Sequence, residues 1–285
     1  MALVDLSDVR LHYELRGHGP AILLISGLGQ TASGWDPIVP QLAQKFSVIQ
    51  ADNRGIGQSV ARKTARRMED HASDFVELLD VLQVDEAHVV GLSFGGLIAQ
   101  RLAADHPSRV NRLVLISTTD RTYPYLGQIG NLLAHALRHF PVALFFQTVE
   151  LLGTSPPYFD SHIAEILESV PLRSAQRGSR RVLANQLRCI NHAANGPQRG
   201  VIIAPTLVLA GEYDALIPNC YGQRLAAGLP DGQFRMMNGC GHNPVIEQPE
   251  IVGGIIERFL LGMEAQIELK GPRQPTGRDL ELVEN

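Results

Sequence analysis

Ser93 stands in Gly91-Leu92-Ser93-Phe94-Gly95, at the seam between the apolar run Ala87 to Leu92 and the alanine-rich segment Gly95 to His106. A lone hydroxyl adds little to a core, and glycines cost conformational entropy in either kind of element. The pattern makes sense if strand turns sharply into helix at Ser93. The hydroxyl then projects from the carboxyl end of a sheet, beside the unpaired N–H groups and positive dipole end of the helix. Such a serine can attack a carbonyl if a base takes its proton. Among the ten histidines the outstanding base is His242, in the loop Gly239-Cys240-Gly241-His242-Asn243-Pro244. His71, His106, His135, His139 and His192 fall inside helical patterns and read as surface or core-edge residues. An imidazole base needs a carboxylate to set its tautomer. Asp214, just after the strand-like Thr206 to Ala210, fills that role, with Asp120 as the rival acid.

The tetrahedral intermediate of acyl transfer needs two hydrogen-bond donors. The Phe94 N–H follows the nucleophile directly. The Leu28 N–H lies in Ser26-Gly27-Leu28-Gly29-Gln30, the loop after the apolar run Ala21 to Ile25, and is the second donor. Trp35, a few residues on, reads as a packing residue.

Elements must bring these residues together from far apart. The runs Ala21 to Ile25, Phe46 to Ala51, Ala87 to Leu92, Arg112 to Ser117 and Thr206 to Ala210 are short, apolar and continuous, as strands covered on both faces are. Helical patterns at Pro37 to Gln44, Glu69 to Leu82 and Gly95 to His106 alternate with them. That alternation predicts an α/β fold with a mostly parallel sheet. Val9 to Leu15 reads as an antiparallel edge strand, and Phe234 to Met237 as a strand ahead of the His242 loop and a final helix from about Pro249. Between 120 and 200 the strand signal vanishes. Helical patches at Ile129 to Leu137, Val142 to Leu152, Ile163 to Glu168 and Arg180 to His192 replace it. The domain reading is therefore a sheet core over 1–119 and 201–261, a helical insertion over 120–200, and a polar tail over 262–285.

Together these residues resemble the α/β-hydrolase superfamily, whose order of nucleophile, acid and histidine matches Ser93, Asp214 and His242. Asp52-Asn53-Arg54-Gly55-Ile56-Gly57-Gln58-Ser59 resembles that family's structural Asp-x-Arg-Gly-x-Gly-x-Ser turn, and the likeness spans about residues 9 to 261. The resemblance implies an α/β-hydrolase fold: an eight-stranded, mostly parallel sheet flanked by helices, with the insertion as a cap. It also implies a serine hydrolase that opens a carboxylic ester or lactone of a small apolar substrate through an acyl-enzyme, with no cofactor and no metal. Members often carry His-Gly where this chain has Ser26-Gly27, which keeps the backbone donor and changes the bonding around it. Ser-Gly-Leu-Gly with Ser-x-Gly-Gly is similar to the branch of 3-oxoadipate enol-lactonases and small carboxylesterases. Enol-lactone hydrolysis, hydrolysis of a dienone carbon–carbon bond, perhydrolysis and a non-catalytic ligand receptor are the alternatives.

The cap predicts the acyl pocket, with Leu133, Leu137, Phe140, Phe145, Phe146 and Tyr158 as lining residues. Arg173, Arg177, Arg181 and Arg188 would share one face of a continuous helix, an assumption Gly178 weakens; the first reading is a solvated charged face, and the alternatives are docking of an acyl carrier protein, as in the family's carrier-protein methyl-ester esterases, or a hold on a substrate carboxylate. A net charge of -4 in 285 residues carries no general basic footprint, so no nucleic acid is expected. No apolar run approaches the roughly 20 residues that span a bilayer. The amino terminus lacks signal-peptide character. The chain therefore reads as cytoplasmic, a monomer or homodimer. Cys189, Cys220 and Cys240 are odd in number and lack metal spacing, so they read as buried, inert thiols.

Overall fold

The computed structural model describes residues 2–65, 67–176, 178–192 and 199–263. The strands are β1 Ala2–Asp5, β2 Val9–Arg16, β3 Ala21–Ile25, β4 Ser47–Ala51, β5 Val60–Ala61, β6 Ala87–Leu92, β7 Val110–Ile116, β8 Thr206–Gly211 and β9 Gly232–Met237. They form one nine-stranded sheet in the order β1-β2-β4-β3-β6-β7-β8-β9, with β5 paired to β2. Every pair from β4 to β9 is parallel, while β1, β2 and β5 pair antiparallel. The resemblance implied eight strands and the described residues hold nine; neither the mostly exposed β1 nor the two-residue β5 gives a sequence pattern. Val9 to Leu15 is not the edge either: β1 pairs outside it.

Alternate residues of each parallel strand feed opposite layers. Leu23, Ile25, Val89, Leu113 and Leu115 pack with Phe75, Leu78, Ile98 and Leu102. The last four come from α2 Met68–Val81 and α3 Phe94–Asp105. Ile22, Leu24, Val90, Val114 and Ile116 face the other way, against Ile38 and Val252, Ile256 and Phe259. Those lie on or beside α1 Val39–Leu42 and α10 Pro249–Leu260. Helices on both faces explain why β6 and β8 are buried along their whole length and read as unbroken apolar runs. The pattern at Pro37 to Gln44 yields only the single turn of α1. His71 is no surface residue: it is 2% exposed in α2, ring edge on Phe94 with centroids 5.0 Å apart. Burial, with the Arg54 guanidinium nearby, pushes its imidazole down to about 3.

Among the described residues, four α-helices separate β7 from β8: α4 Pro124–His139, α5 Val142–Gly153, α6 Pro156–Gln176 and α7 Arg180–His192. The patch at Ile163 to Glu168 thus belongs to a longer helix, bent where His162 leaves helical geometry at φ −124°. Leu133, Leu137, Phe145, Phe146, Leu183 and Leu187 make the core of this cap and enclose Ile56 and Leu216 of the sheet domain. The arginine face does not form: α6 ends at Gln176, α7 starts at Arg180, and Gly178 lies between them at φ +84°. Arg177 and the side chain of Arg173 lie outside the described residues, as does the tail beyond Met263. The remaining core helices are α8 Asn219–Ala227 and α9 Pro244–Glu247. No helix among the described residues is long and apolar enough to cross a membrane.

Candidate active site

Strand order reverses at β3: β4 lies on one side of it and β6 on the other. Open α/β sheets bind ligands at the carboxyl ends of strands flanking such a switch. Here β3 runs into the Leu28 loop and β6 into Ser93. Ser93 links β6 to α3 at φ 54°, ψ −113°, a backbone that costs a non-glycine residue about 1–3 kcal/mol. The surroundings enforce it. Ser93 N–H donates to Ile116 O at 2.8 Å, and its carbonyl accepts from Thr118 Oγ1 and Gly96 N–H, each at 2.9 Å. A methyl group on Gly95 would run into the Ile25 carbonyl, and one on Gly91 into the Gly95 carbonyl, so only glycine lets α3 sit this close.

His242 and Asp214 come together from the loops after β9 and β8. His242 Nδ1 lies 2.7 Å from Asp214 Oδ2, and Asp214 Oδ1 accepts from Leu216 N–H at 2.9 Å and Ile217 N–H at 2.8 Å. A carboxylate only accepts, so Nδ1 carries the proton of this bond and Nε2 is left as the basic nitrogen. Burial alone would lower the His242 pKa. Asp214, with Glu150 and Glu247 farther off, outweighs it and holds the imidazole above its ordinary 6.5. The rival Asp120 is engaged elsewhere, with Tyr123 Oη 3.1 Å and Arg121 Nε 3.5 Å away.

The cap grips these loops. His242 N–H donates to Gly153 O, Ala215 N–H donates to Leu152 O at 3.3 Å, and the Glu247 carboxylate accepts from Gly241 N–H at 3.0 Å and Ser155 N–H at 3.4 Å. Glu247 was not foreseen. Its position five residues after His242 says nothing by itself about which backbone it will meet.

The Leu28 loop is tied at both ends. Asn53 Nδ2 donates to Ser26 O at 2.9 Å and Asp52 Oδ1 accepts from Ala32 N–H at 2.7 Å. Ser26, the departure from the usual histidine, accepts from Trp35 Nε1 at 3.0 Å, so Trp35 is a buried packing residue anchored by that hydroxyl. A methyl placed on Gly27 would stand 3.6 Å from Ser93 Cβ, which measures how closely the loop passes the serine. Phe94 N–H belongs to the first turn of α3, where no intrahelical acceptor exists. Neither it nor the Leu28 N–H has an acceptor among the described residues.

Ser93, His242, Leu28 and Phe94 all line one cavity of about 800 Å³ under the cap. Of the lining residues expected, Leu133, Phe146 and Tyr158 border it. Leu137 and Phe145 sit on the sides of their helices that fill the cap core, and Phe140, just past the end of α4, is 45% exposed. Glu150, His162 and Glu165 add polar character that helix periodicity could not reveal. Of the thiols, Cys189 and Cys240 are buried, and burial raises them to about 11 and about 12, whereas Cys220 is exposed, against expectation.

Comparison with known proteins agrees with this architecture. The alpha/beta hydrolase fold family matches residues 20–249. A Caulobacter vibrioides protein whose name assigns it as a carbamate hydrolase, RutD, is 30% identical over 277 residues, covering 88% of this chain and 96% of that one. The enol-lactonase of Burkholderia xenovorans superposes with a TM-score of 0.83 at 25% identity, over 91% of this chain and all of that one. BpoC of Mycobacterium tuberculosis, named as a non-heme bromoperoxidase, gives 0.78 at 26% identity, over 90% and 97%. These names differ in the reaction they give, while the family match and the superpositions share one fold. The chain is an enzyme of the α/β-hydrolase fold family.

Proposed function

We propose that the protein is a serine hydrolase that opens a carboxylic ester or lactone of a small, largely apolar substrate. Ser93 Oγ attacks the carbonyl carbon while His242 Nε2 takes its proton, and Asp214 stabilises the resulting imidazolium. The Leu28 and Phe94 N–H groups receive the oxyanion. His242 then returns the proton to the leaving alcohol, and a water activated by the same imidazole releases the acid from the acyl-serine.

The observation that carries this reading is the 2.7 Å bond between His242 and Asp214 at the wall of the cavity that the strained Ser93 also lines. A cavity of about 800 Å³ falls in the range that encloses a small organic ligand. An enol-lactone is the second substrate reading, favoured by the likeness to the Burkholderia xenovorans enzyme. A carrier-protein ester is less favoured, because no single helix presents the arginines. All three cysteines are free thiols, as suits work in a reducing cytoplasm.

A fluorophosphonate probe, with the adduct mapped by mass spectrometry, tests the chemistry. The expected adduct is on Ser93, and it is lost in Ser93→Ala together with hydrolysis of short p-nitrophenyl esters. Turnover in the Ser93→Ala protein equal to wild type would overturn the reading. A parallel panel of methyl esters and enol-lactones then ranks the substrate classes.

A further inference from the structure

Gln186 lies on the inner face of α7, 1% exposed, and reaches from the cap to the sheet domain. Its Oε1 accepts the Gly29 N–H at 2.9 Å, and its Nε2 is buried with no partner among the described residues. A flipped carboxamide would set N–H against N–H, so the Gly29 bond decides its orientation. Half-satisfied buried amides are disfavoured against an apolar residue of the same size. The bond to Gly29 is therefore the polar role the residue has.

That bond falls at the centre of the oxyanion loop. The core holds the loop at Ser26 and Ala32, and Gln30 Oε1 braces Gly27 N–H at 3.2 Å from within. Among the described residues, Gly29 N–H has Gln186 as its acceptor. Holding the 28–29 peptide plane leaves only the two Leu28 torsions between it and the plane that carries the Leu28 N–H. The cap also packs on the same spot: Gly29 is at φ +64°, and a methyl there would come within 2.8 Å of Leu183 Cδ2 and 2.9 Å of Phe146 Cζ.

We propose that Gln186 is a positioning residue that aims the Leu28 N–H at the oxyanion, so that the oxyanion hole is complete only while the cap is docked on the Gly29 backbone. The inference rests on the serine-hydrolase reading given above. It makes the cap a part of the catalytic frame, separate from any role in choosing the substrate. Its effect belongs in the transition state, where the oxyanion exists, and not in substrate binding.

The test compares Gln186→Met, which keeps the length and removes the acceptor, with Gln186→Glu, which keeps an acceptor oxygen. A small misalignment of a catalytic group costs on the order of tenfold or more. The expected result is a kcat lower by about tenfold in the Met variant, with KM within about twofold. Affinity for a trifluoromethyl ketone should fall in parallel with kcat, inhibition by the product alcohol should stay unchanged, and the Glu variant should recover most of kcat. A folded Met variant with kcat within about twofold of wild type would overturn the proposal. So would equal losses in folded Met and Glu variants. Should the Met variant not fold, Gln186→Asn, which draws the same group back from Gly29, carries the same expected and overturning results. Failure of the hydrolase reading looks different: the wild-type protein itself would neither label at Ser93 nor turn over ester.

Discussion

The chain contains two sets of serine, histidine and aspartate, and they differ in what their polar atoms face. In one, His12 Nδ1 lies 2.9 Å from Asp52 Oδ2, and Ser59 Oγ accepts the His12 backbone N–H at 2.9 Å. In the other, His242 Nδ1 lies 2.7 Å from Asp214, and Ser93 stands at the same cavity wall. The imidazole–carboxylate geometry is nearly the same. The His12 and Asp52 side chains are 5% and 4% exposed, and His12 Nε2 is 3.3 Å from Gln58 Nε2. Asp52 is also taken by the Ala32 and Gln58 N–H groups, and Ser59 donates to Asp52 O at 2.8 Å. The bonds of that set tie β2, the chain just after β4, residues 58–59 and Ala32 to one another. His242 and Ser93 instead both line an open cavity, and the Ser93 backbone there is strained at φ 54°. A dyad becomes chemistry only when its far nitrogen and a nucleophile share space a substrate can enter.

Substitutions in both sets should separate the two roles. Ser93→Ala should lower kcat by roughly 10⁶, whereas Ser59→Ala should leave kcat within about twofold and cost about 1–3 kcal/mol in denaturant unfolding. Asp214→Asn should lower kcat by roughly 10⁴ by favouring the wrong imidazole tautomer. Asp52→Asn, in contrast, should act on melting temperature, with steady-state rates nearly intact while the protein is folded. Equal kinetic damage from both aspartate variants would dissolve the distinction.

Glu247→Gln should have a smaller effect. It leaves one acceptor for the two N–H groups of Gly241 and Ser155 and loosens the His242 loop, lowering kcat by about tenfold or less with KM little changed. Stopped assays on the folded variant would read it. The finest test is pH. In the proposed mechanism His242 must be neutral to take a proton, and Asp214, Glu150 and Glu247 favour its charged form against the pull of burial. The kcat/KM profile should therefore rise with pH through a midpoint above 6.5, and Glu150→Gln should move it down. The same shift gives the opposite sign for stability: His242 contributes fully below 6.5, and its contribution is lost as pH rises through the folded value.

How much of this was legible depends on how local the cause is. β3, β6 and β8 stood out because both faces are covered, which favours apolar residues on both and leaves few polar ones, His88 and Thr206 among them. Ser93 stood out because a strained turn needs glycine on either side. β1 did not, since Ala2–Asp5 is mostly exposed and exists through its pairing with β2. The wall of the cavity was half visible: periodicity shows which cap residues are apolar, and Leu137 and Phe146 look alike until the helices are docked. Gln186 was invisible because its partner, Gly29, is 157 residues away. The arginine spacing stayed open because it assumes one continuous helix, whereas α6 ends at Gln176 and α7 starts at Arg180, with Gly178 between them at φ +84°.

The glycines around Ser93 carry one more consequence. Carbonyl oxygens crowd positions 91 and 95 so tightly that they admit hydrogen alone, while the side chain between them points into open volume. The scaffold is thus intolerant at its hinges and permissive at its tip. If Ser93 attacks as proposed, exchanging its oxygen for sulfur or its alcohol for a carboxylate would leave the helix seated, so reactivity in such a frame can be rewritten at a single position without rebuilding what supports it.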